Sequence, residues 1–367
     1  MAIAVATLFG TSPAKSAKAV RPLPDPRLAL FHMPPEDAPH ERTFMQWPVS
    51  LTVYDRQSLS AVQANIAAIA NAIAQFEPVV MLVSGTAAIS ARRQLSKAVE
   101  LWDIPTEDLW CRDAGPTFVQ DSAGNLAVSH IRFNGWGNKQ LHRNDAQIAA
   151  QVAKRLGLPL LETGLIGEQG GVEHDGAGTL IAHASSWVNS NRNKGSTDQI
   201  GKLLTHALGA KSIIWAPRVK GKDITDYHID ALARFVSPGS VLIQIGDEID
   251  REDPWSIAAF ETLSILEKAR DARGQRLDII RLPEPIDIRS DNPEFVASYV
   301  NYYVCNNAVI MPEFGDKIAD ARAKSLLASL YPGRKMVALN IDALGEAGGG
   351  IHCATQQQPK RGISWTI

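Results

Sequence analysis

Close to its C-terminus the chain reads Gly348-Gly349-Gly350-Ile351-His352-Cys353-Ala354-Thr355-Gln356-Gln357-Gln358-Pro359. Three successive glycines let a backbone pass through conformations closed to other residues and come close to a ligand. A cysteine follows at once, then a polar run where a core strand would continue with Val, Ile or Leu. A lone cysteine is ordinarily a small buried hydrophobe, so Cys353 becomes a candidate nucleophile only through what the rest of the chain supplies. Three other polar segments bear on it. Trp110-Cys111-Arg112-Asp113 stands just before Gly115-Pro116; the Arg-Asp pair is either part of a constrained site or a surface ion pair worth under about 1 kcal/mol. Gly167–Gly176 sets Glu168, Glu173 and Asp175 among glycines, as a polar turn or as a source of acids. In Thr225-Asp226-Tyr227-His228-Ile229-Asp230, a strand would put His228 and Asp230 on one face, because residues i and i+2 point the same way. That spacing suits an acid/base histidine beside a carboxylate, or two metal ligands.

The neighbours of His228 and Asp230 weigh between these. Zinc would want a third and fourth ligand, and the nearby clusters offer carboxylates rather than His or Cys. Cys111, Cys305 and Cys353 are far apart and lack C-x-x-C spacing, so they suggest neither a disulfide framework nor a zinc site. No G-x-S-x-G elbow is present. Two carboxylates held near a cysteine discourage thiolate formation and repel anions, so they make sense beside a cationic substrate. A planar guanidinium is the cation best matched to paired carboxylates, and its carbon is electron-poor enough for thiolate attack once clamped on both sides. The pattern reads as hydrolysis at a guanidinium carbon, with no cofactor and no metal.

The elements that must position these groups alternate. Helical periodicity covers roughly Ser58–Phe76, Asn144–Arg155, Thr197–Leu208, Trp255–Arg270 and Lys317–Leu330. Strand-like runs follow each, at Val79–Val83, Leu158–Leu161, Ser212–Trp215, Leu277–Arg281 and Lys335–Leu339. Further strands are predicted at Leu126–Phe133, Thr179–Ala182, Ile229–Val236, Ser240–Ile245, Val296–Val304 and Ala308–Met311. Such alternation defaults to a doubly wound sheet, but neither G-x-G-x-x-G after the first strand nor a P-loop appears. The polar clusters recur after the unit strands, so five α/β units are better read as a closed ring, which shields sheet edges and leaves loops for a central site.

Length and composition agree with that reading. The 367 residues are 45% hydrophobic and 21% charged, with formal net charge −2, so no global field recruits nucleic acid or an anionic membrane. The apolar Met1–Gly10 and the Ala17-Lys18-Ala19 pattern suit a secretory h-region and cleavage site, without the basic n-region. Residues 1–20 are read as a leader, either an incomplete export signal or an Ala/Lys-rich tail. An exported or periplasmic location is expected ahead of a cytoplasmic one, and residues 21–367 form one catalytic domain.

Several separated motifs in order, from about Pro34 to Pro359, carry a family resemblance. They are Pro35-Glu36-Asp37-Ala38-Pro39-His40-Glu41-Arg42-Thr43-Phe44-Met45-Gln46-Trp47-Pro48, the Trp-x-Arg-Asp-x-Gly-Pro element, Asp175-Gly176-Ala177-Gly178-Thr179, Asn189-Ser190-Asn191-Arg192-Asn193, Thr-Asp-x-His-Ile-Asp and Gly-Gly-Gly-Ile-His-Cys. The chain resembles the agmatine deiminase family, which also contains the Porphyromonas-type peptidyl-arginine deiminases. The resemblance implies a five-bladed α/β propeller, the pentein fold. It implies Cys353 as nucleophile, His228 as general acid/base, and Asp113 and Asp230 as holders of the guanidinium nitrogens. Glu168 matches the active-site Glu, although Glu-Gln-Gly-Gly replaces the usual Glu-Gly-Gly; the departure at Gln169 leaves Glu173 as the alternative. Trp110, Tyr227 and Gly350 are the further substrate-binding candidates, Trp110 as a stacking surface. His352 is not expected to be the base, because neighbouring strand side chains diverge.

The implied substrate is agmatine, giving N-carbamoylputrescine and ammonia on the route to putrescine, or else an arginyl peptide or another guanidine. A non-catalytic guanidinium binder and an amidinotransferase are the other classes. Agmatine-converting members usually carry Gly-His-Val-Asp-Asn and Thr-Glu-x-Cys-Leu-Leu-Asn where this chain has Tyr227–Ala231 and Ala184–Asn189. Tyr227 and Trp187 therefore either reshape the pocket mouth or pack a different core. The family also suggests a homodimer.

Overall fold

Four of the five expected helices begin on a side chain that caps them. The computed structural model describes residues 22–363, so the expected leader over 1–20 lies outside the described residues. Asp55 accepts from the Ser58 N–H at the start of Arg56–Ile73, and Asp316 caps Lys317–Leu330. Asp253 caps Pro254–Lys268, whose first residue is the proline that this position tolerates. Ser196 and Gln199 form a reciprocal capping box on Thr197–Leu208. The fifth helix, Ile148–Leu156, runs on from a 3₁₀ turn at Asp145–Gln147 and stops at Gly157, whose φ of 65° is left-handed.

Among the described residues the strands form five separate sheets. Four share one plan: an antiparallel hairpin, a helix, then a strand parallel to the hairpin's second arm. Thr117–Asp121 and Leu126–Arg132 pair antiparallel, and Leu160–Ile166 joins in parallel. The same order builds Val172–His174, Thr179–His183 and Ser212–Ala216. It recurs in Ala233–Ser237, Ser240–Gln244 and Asp278–Leu282, and in Tyr303–Cys305, Ala308–Glu313 and Lys335–Asn340. In the remaining sheet the antiparallel pair comes from the two ends of the chain. Gln356–Pro359 lies beside His40–Gln46, which continues in parallel to Val79–Val83 and Val99–Asp103.

Helices tie one sheet to the next. Arg56–Ile73 packs on Val79–Val83 of its own sheet and on Ala308–Glu313 and Lys335–Asn340 of another. Thr197–Leu208 likewise spans Leu160–Ile166 and Ser212–Ala216, and Pro254–Lys268 spans Ser212–Ala216 and Asp278–Leu282. A sheet unit thus finds cover for its apolar face only in the company of its neighbours.

Two strand expectations need correction. Of Val296–Val304 only Tyr303 and Val304 are strand, at the start of Tyr303–Cys305. The predicted Ile229–Val236 strand divides into a 3₁₀ turn, Ile229–Ala231, and a strand beginning at Ala233. His228 therefore stands just ahead of a turn rather than sharing a strand face with Asp230.

A buried carboxylate seals the sheet that joins the chain ends to its neighbour. Glu77 lies 3.1 Å from His40 Nδ1 and accepts from the Asn306 N–H at 2.6 Å. The Thr43 hydroxyl donates to the same carboxylate, and the Tyr303 hydroxyl reaches it at 3.4 Å. Burial opposes the charge on Glu77, but His40 and these donors hold its pKa below the usual value. Replacing Glu77 by Ala strips all of these groups of their common acceptor. The expected cost is about 3–5 kcal/mol, the range for removing one partner of a buried pair. Urea unfolding of the variant beside the parent measures it; a loss under about 1 kcal/mol would make the network incidental to stability.

Candidate active site

One position recurs in all five units: the segment just ahead of the first strand of each antiparallel pair. Cys111–Ala114 precedes Thr117–Asp121, and Gln169–Gly171 precedes Val172–His174. His228 and Ile229–Ala231 precede Ala233–Ser237, Asn301 precedes Tyr303–Cys305, and Cys353 precedes Gln356–Pro359. These five segments bring Asp113, Glu168, His228, Asp230, Asn301 and Cys353 together. Sequence reasoning named all of them except Asn301, which sat inside an over-extended strand. Its position in the repeat is the signal that would have found it.

Cys353 Sγ lies 3.5 Å from Asp230 Oδ2 and accepts from Asn301 Nδ2 at 3.1 Å. Asn301 Oδ1 in turn accepts from the Cys353 backbone N–H at 3.2 Å. A Cβ on Gly350 would stand 2.5 Å from Asn301 Oδ1, so only glycine allows this approach. A Cβ on Gly349 would strike the Trp110 ring at 2.5 Å, which places Trp110 against the glycine run. Burial, then Asp230 and Asp113, push the Cys353 thiol well above its ordinary pKa, against the Gly350 N–H and Asn301.

His228 sits between two acids. Its Nε2 is 3.4 Å from Glu168 Oε2 and its Nδ1 is 3.7 Å from Asp113 Oδ1. Burial favours the neutral ring, but Asp113 and Glu168 outweigh it and raise the pKa to about 9. Asp113 accepts from Trp136 Nε1 at 2.9 Å and from the Gly170 N–H at 3.3 Å. Burial lifts its pKa to about 6 despite the pull of His228, with Glu168 and Asp230 adding to the rise. Gly170 is a second residue the sequence reading did not single out. A Cβ there would lie 2.8 Å from both Asp113 Oδ1 and His228 Nδ1, so the backbone forms one wall of the site.

The Asn189–Asn193 motif acts through Glu168. Arg192 Nε lies 2.9 Å from both Glu168 oxygens, and its Nη1 reaches Asp226 Oδ2 at 2.8 Å. Lys139 Nζ binds the same Asp226 oxygen at 2.9 Å. Asp226 and Tyr227 are both left-handed, with φ of 60° and 78°. Strain of that kind persists only where the surroundings fix it, and these ion pairs do so just ahead of His228.

Comparison with known proteins decides the lineage. Residues 32–359 match the Porphyromonas-type peptidyl-arginine deiminase family. The chain belongs to that family. It is 37% identical over 339 residues to a Streptomyces coelicolor protein provisionally named an agmatine deiminase, covering 90% of this chain and 99% of the relative. It is 34% identical over 360 residues to the agmatine deiminase of Stutzerimonas stutzeri, covering 91% and 97%. The structure superposes on the agmatine deiminase of Enterococcus faecalis with a TM-score of 0.83 and 28% identity, over 94% of this chain and 100% of that one. An amidinotransferase from Microseira wollei, 12% identical at a TM-score of 0.51 over 91% of this chain and 98% of that one, shares the fold alone.

Within this deiminase several expectations change. Arg112 and Asp113 are buried rather than a surface pair, and Arg112 Nη2 lies 3.9 Å from Glu36. Glu173 stands beside Arg234 Nε at 3.2 Å, whereas Glu168 faces His228; the inserted Gln169 is absorbed in the 3₁₀ turn Gln169–Gly171. The Tyr227 ring stacks on His183 with centroids 3.8 Å apart and meets Trp255 edge-on, so it fills a core cluster. Trp187 donates to the Gly171 carbonyl at 2.7 Å and supports the Gly170 wall from behind. The strand argument against His352 also falls, because residues 351–354 form a turn. His352 Nδ1 lies 2.8 Å from Asp230 Oδ2.

Metal ligation was the alternative for His228 and Asp230. Among the described residues, the group of possible ligands that comes close enough is Glu36, Glu173 and His352. Arg234 already fills it, 2.6 Å from Glu36 Oε2 and 3.2 Å from Glu173 Oε1. With its pKa raised, free Cys353 is expected to alkylate slowly with iodoacetamide at neutral pH and to accelerate only above pH 9, the ordinary thiol value. Peptide mapping of rate against pH, with Cys353→Ser as blank, measures this. An inflection near neutrality would mean the acids do not suppress the thiolate.

Proposed function

We propose that this protein hydrolyses the guanidinium group of agmatine to the ureido group of N-carbamoylputrescine, releasing ammonia. The observation that carries the reading is the pairing of a suppressed thiol with carboxylates still open to a cation. Asp230 Oδ1 is buried and has no hydrogen-bond partner, while its Oδ2 lies 3.5 Å from Cys353 Sγ. An unpaired buried acceptor is costly, and a guanidinium N–H relieves that cost. The burial of every group in the cluster favours a small free guanidine over an arginine held in a folded protein. We also read the five sheets as blades of one pseudo-fivefold ring around the site, closed by Gln356–Pro359 against His40–Gln46; the shared plan of the units supports this.

Cys353 is the nucleophile in this reading. As the cation docks between Asp113 and Asp230, its charge offsets theirs and the thiol gives up its proton to solvent water, from which the ammonia released later recovers it. The carboxylates hold the planar group by its N–H donors with its carbon toward Sγ. The S–C bond forms, and His228 gives its proton to the departing nitrogen, which leaves as ammonia. An S-alkylthiouronium remains on Cys353. His228, steered by Glu168, then takes a proton from water as the oxygen attacks; the remaining hydroxyl proton returns to sulfur as the C–S bond breaks. The thiol and imidazolium are restored, and the sum is guanidinium plus water giving urea and ammonium.

Ammonia release from agmatine, free arginine and a blocked arginyl peptide separates the substrates. Agmatine is expected to be the substrate turned over, with Cys353→Ala inert; peptide turnover without agmatine turnover would replace this proposal with protein citrullination, and an active Cys353→Ala would remove the nucleophile assignment.

The pH profile of kcat/KM is a separate check. Asp113 must be ionised, so activity is lost as pH falls through about 6. The Cys353 thiol must also ionise, and it does so above its ordinary value, so kcat/KM is expected to climb from that acid limb and to level off as His228 loses its proton near 9. A climb continuing undiminished well above pH 9 would rule out a protonated His228.

A further inference from the structure

The Pro35–Pro48 stretch carries part of the family resemblance yet has no role in the chemistry above. It leads to a line of buried and part-buried polar groups behind the site. Glu36 Oε2 lies 2.8 Å from His352 Nε2, and the other ring nitrogen, Nδ1, lies 2.8 Å from Asp230 Oδ2. The same Glu36 oxygen is 2.6 Å from Arg234 Nη2 and 3.9 Å from Arg112 Nη2. Arg112 also reaches the His352 carbonyl with Nε at 3.4 Å. The Glu36 carbonyl accepts from His40 Nε2 at 2.7 Å, which anchors the segment to the sheet joining the chain ends.

We infer that His352, oriented by Glu36, is a positioning residue: it occupies Asp230 Oδ2 so that Oδ1 alone is left free and charged for the substrate guanidinium. This rests on the deiminase reading for its kinetic consequence, though not for its thiol consequence.

The geometry excludes simpler roles. A neutral imidazole offers one donor and one acceptor, whereas here each nitrogen faces a carboxylate oxygen, an arrangement that suits a ring donating from both. A ring donating to acids at both ends cannot also serve as the base for Cys353. What it does is fix the carboxylate plane of Asp230, whose two oxygens then differ: one held by His352 and near Sγ, one buried and unpaired. The titratable and charged groups facing Asp230 are His352 and Cys353 on the Cys353 turn, His228 on its own segment, Asp113 on the Cys111–Ala114 turn, Glu173 on Val172–His174 and Arg234 on Ala233–Ser237. Burial works against the Asp230 charge, and His352 is the largest influence that favours it, followed by His228 and Arg234. Without His352, burial and the surrounding acids push the Asp230 pKa upward.

Two readouts test this on the purified full chain, with His352→Ala, His352→Gln and Glu36→Gln beside the parent. In agmatine kinetics normalised to titrated Cys353, His352→Ala is expected to lose on the order of 100-fold in kcat/KM, as misplaced groups do, mainly through KM. Its acid limb should move to higher pH. His352→Gln restores a donor to Asp230 without the charge; it should recover part of KM and keep the shifted limb. In alkylation at neutral pH, a proton on Asp230 relieves Cys353 of its nearest negative charge. His352→Ala should then react faster, about tenfold for each unit the thiol pKa falls. Losing a nearby cation by itself would slow the reaction, so slower or unchanged alkylation in both His352 variants overturns the inference. So does normal KM with an unmoved acid limb. A parent that releases no ammonia from any guanidine fails the deiminase reading, and the alkylation result still decides the role of His352.

Discussion

The structure is organised around buried negative charge. Asp113, Glu168 and Asp230 converge on one thiol and one imidazole, nearly out of contact with water. Burying an unpaired carboxylate is so unfavourable that it ordinarily takes up a proton instead. Each of the three is handled differently. Glu168 receives a buried Arg192, Asp230 is held by His352 with Arg234 beyond it, and Asp113 is left part-way, its pKa drawn up to about 6. The site is not neutralised from within. It retains the unsatisfied Asp230 Oδ1 and a thiol that its neighbours keep protonated, the two features on which the proposed guanidinium binding rests.

The repeated plan of the five units serves that convergence. Each segment ahead of a hairpin contributes one or two polar groups, and none of the five units could assemble the cluster alone. Because a helix such as Thr197–Leu208 packs on two sheets, the spacing between successive segments is set by core packing rather than by the polar groups. The buried carboxylates need such a frame, since charges of one sign would otherwise move apart. Joining the chain ends through Gln356–Pro359 and His40–Gln46 puts Cys353 under the same constraint. Glu77 secures that sheet to its neighbour by binding His40, Thr43 and Asn306 together.

Much of this was legible in the sequence. Thr197–Leu208 and Lys317–Leu330 fall on the residues expected, because capping residues bound a clean apolar stripe. Periodicity failed where chemistry took over the backbone. The run from Ile229 to Val236 alternates like a strand, yet Asp230 is drawn into a 3₁₀ turn among the buried acids. Val296–Val304 looked continuous, and Asn301 was hidden within it; its amide pairs with Cys353 across 52 positions of sequence, a contact no local pattern reports. Gly170 was visible as a glycine, but that its missing side chain makes room for two catalytic candidates depends on three segments meeting.

The misreading of His352 has the same origin. Adjacent side chains diverge in a strand, but in a turn they can act on one neighbour from two sides. Here Cys353 and His352 both address Asp230 Oδ2, at 3.5 and 2.8 Å. One carboxylate oxygen thus joins the Cys353 thiol to the Glu36–Arg234 cluster, and its twin is buried without a hydrogen-bond partner. The glycines at 349 and 350 admit Trp110 and Asn301 to the same turn. Gly-Gly-Gly-Ile-His-Cys therefore works as a unit. The glycines let the turn press against its neighbours, the cysteine brings its sulfur to Asp230, and the histidine meets the same carboxylate oxygen.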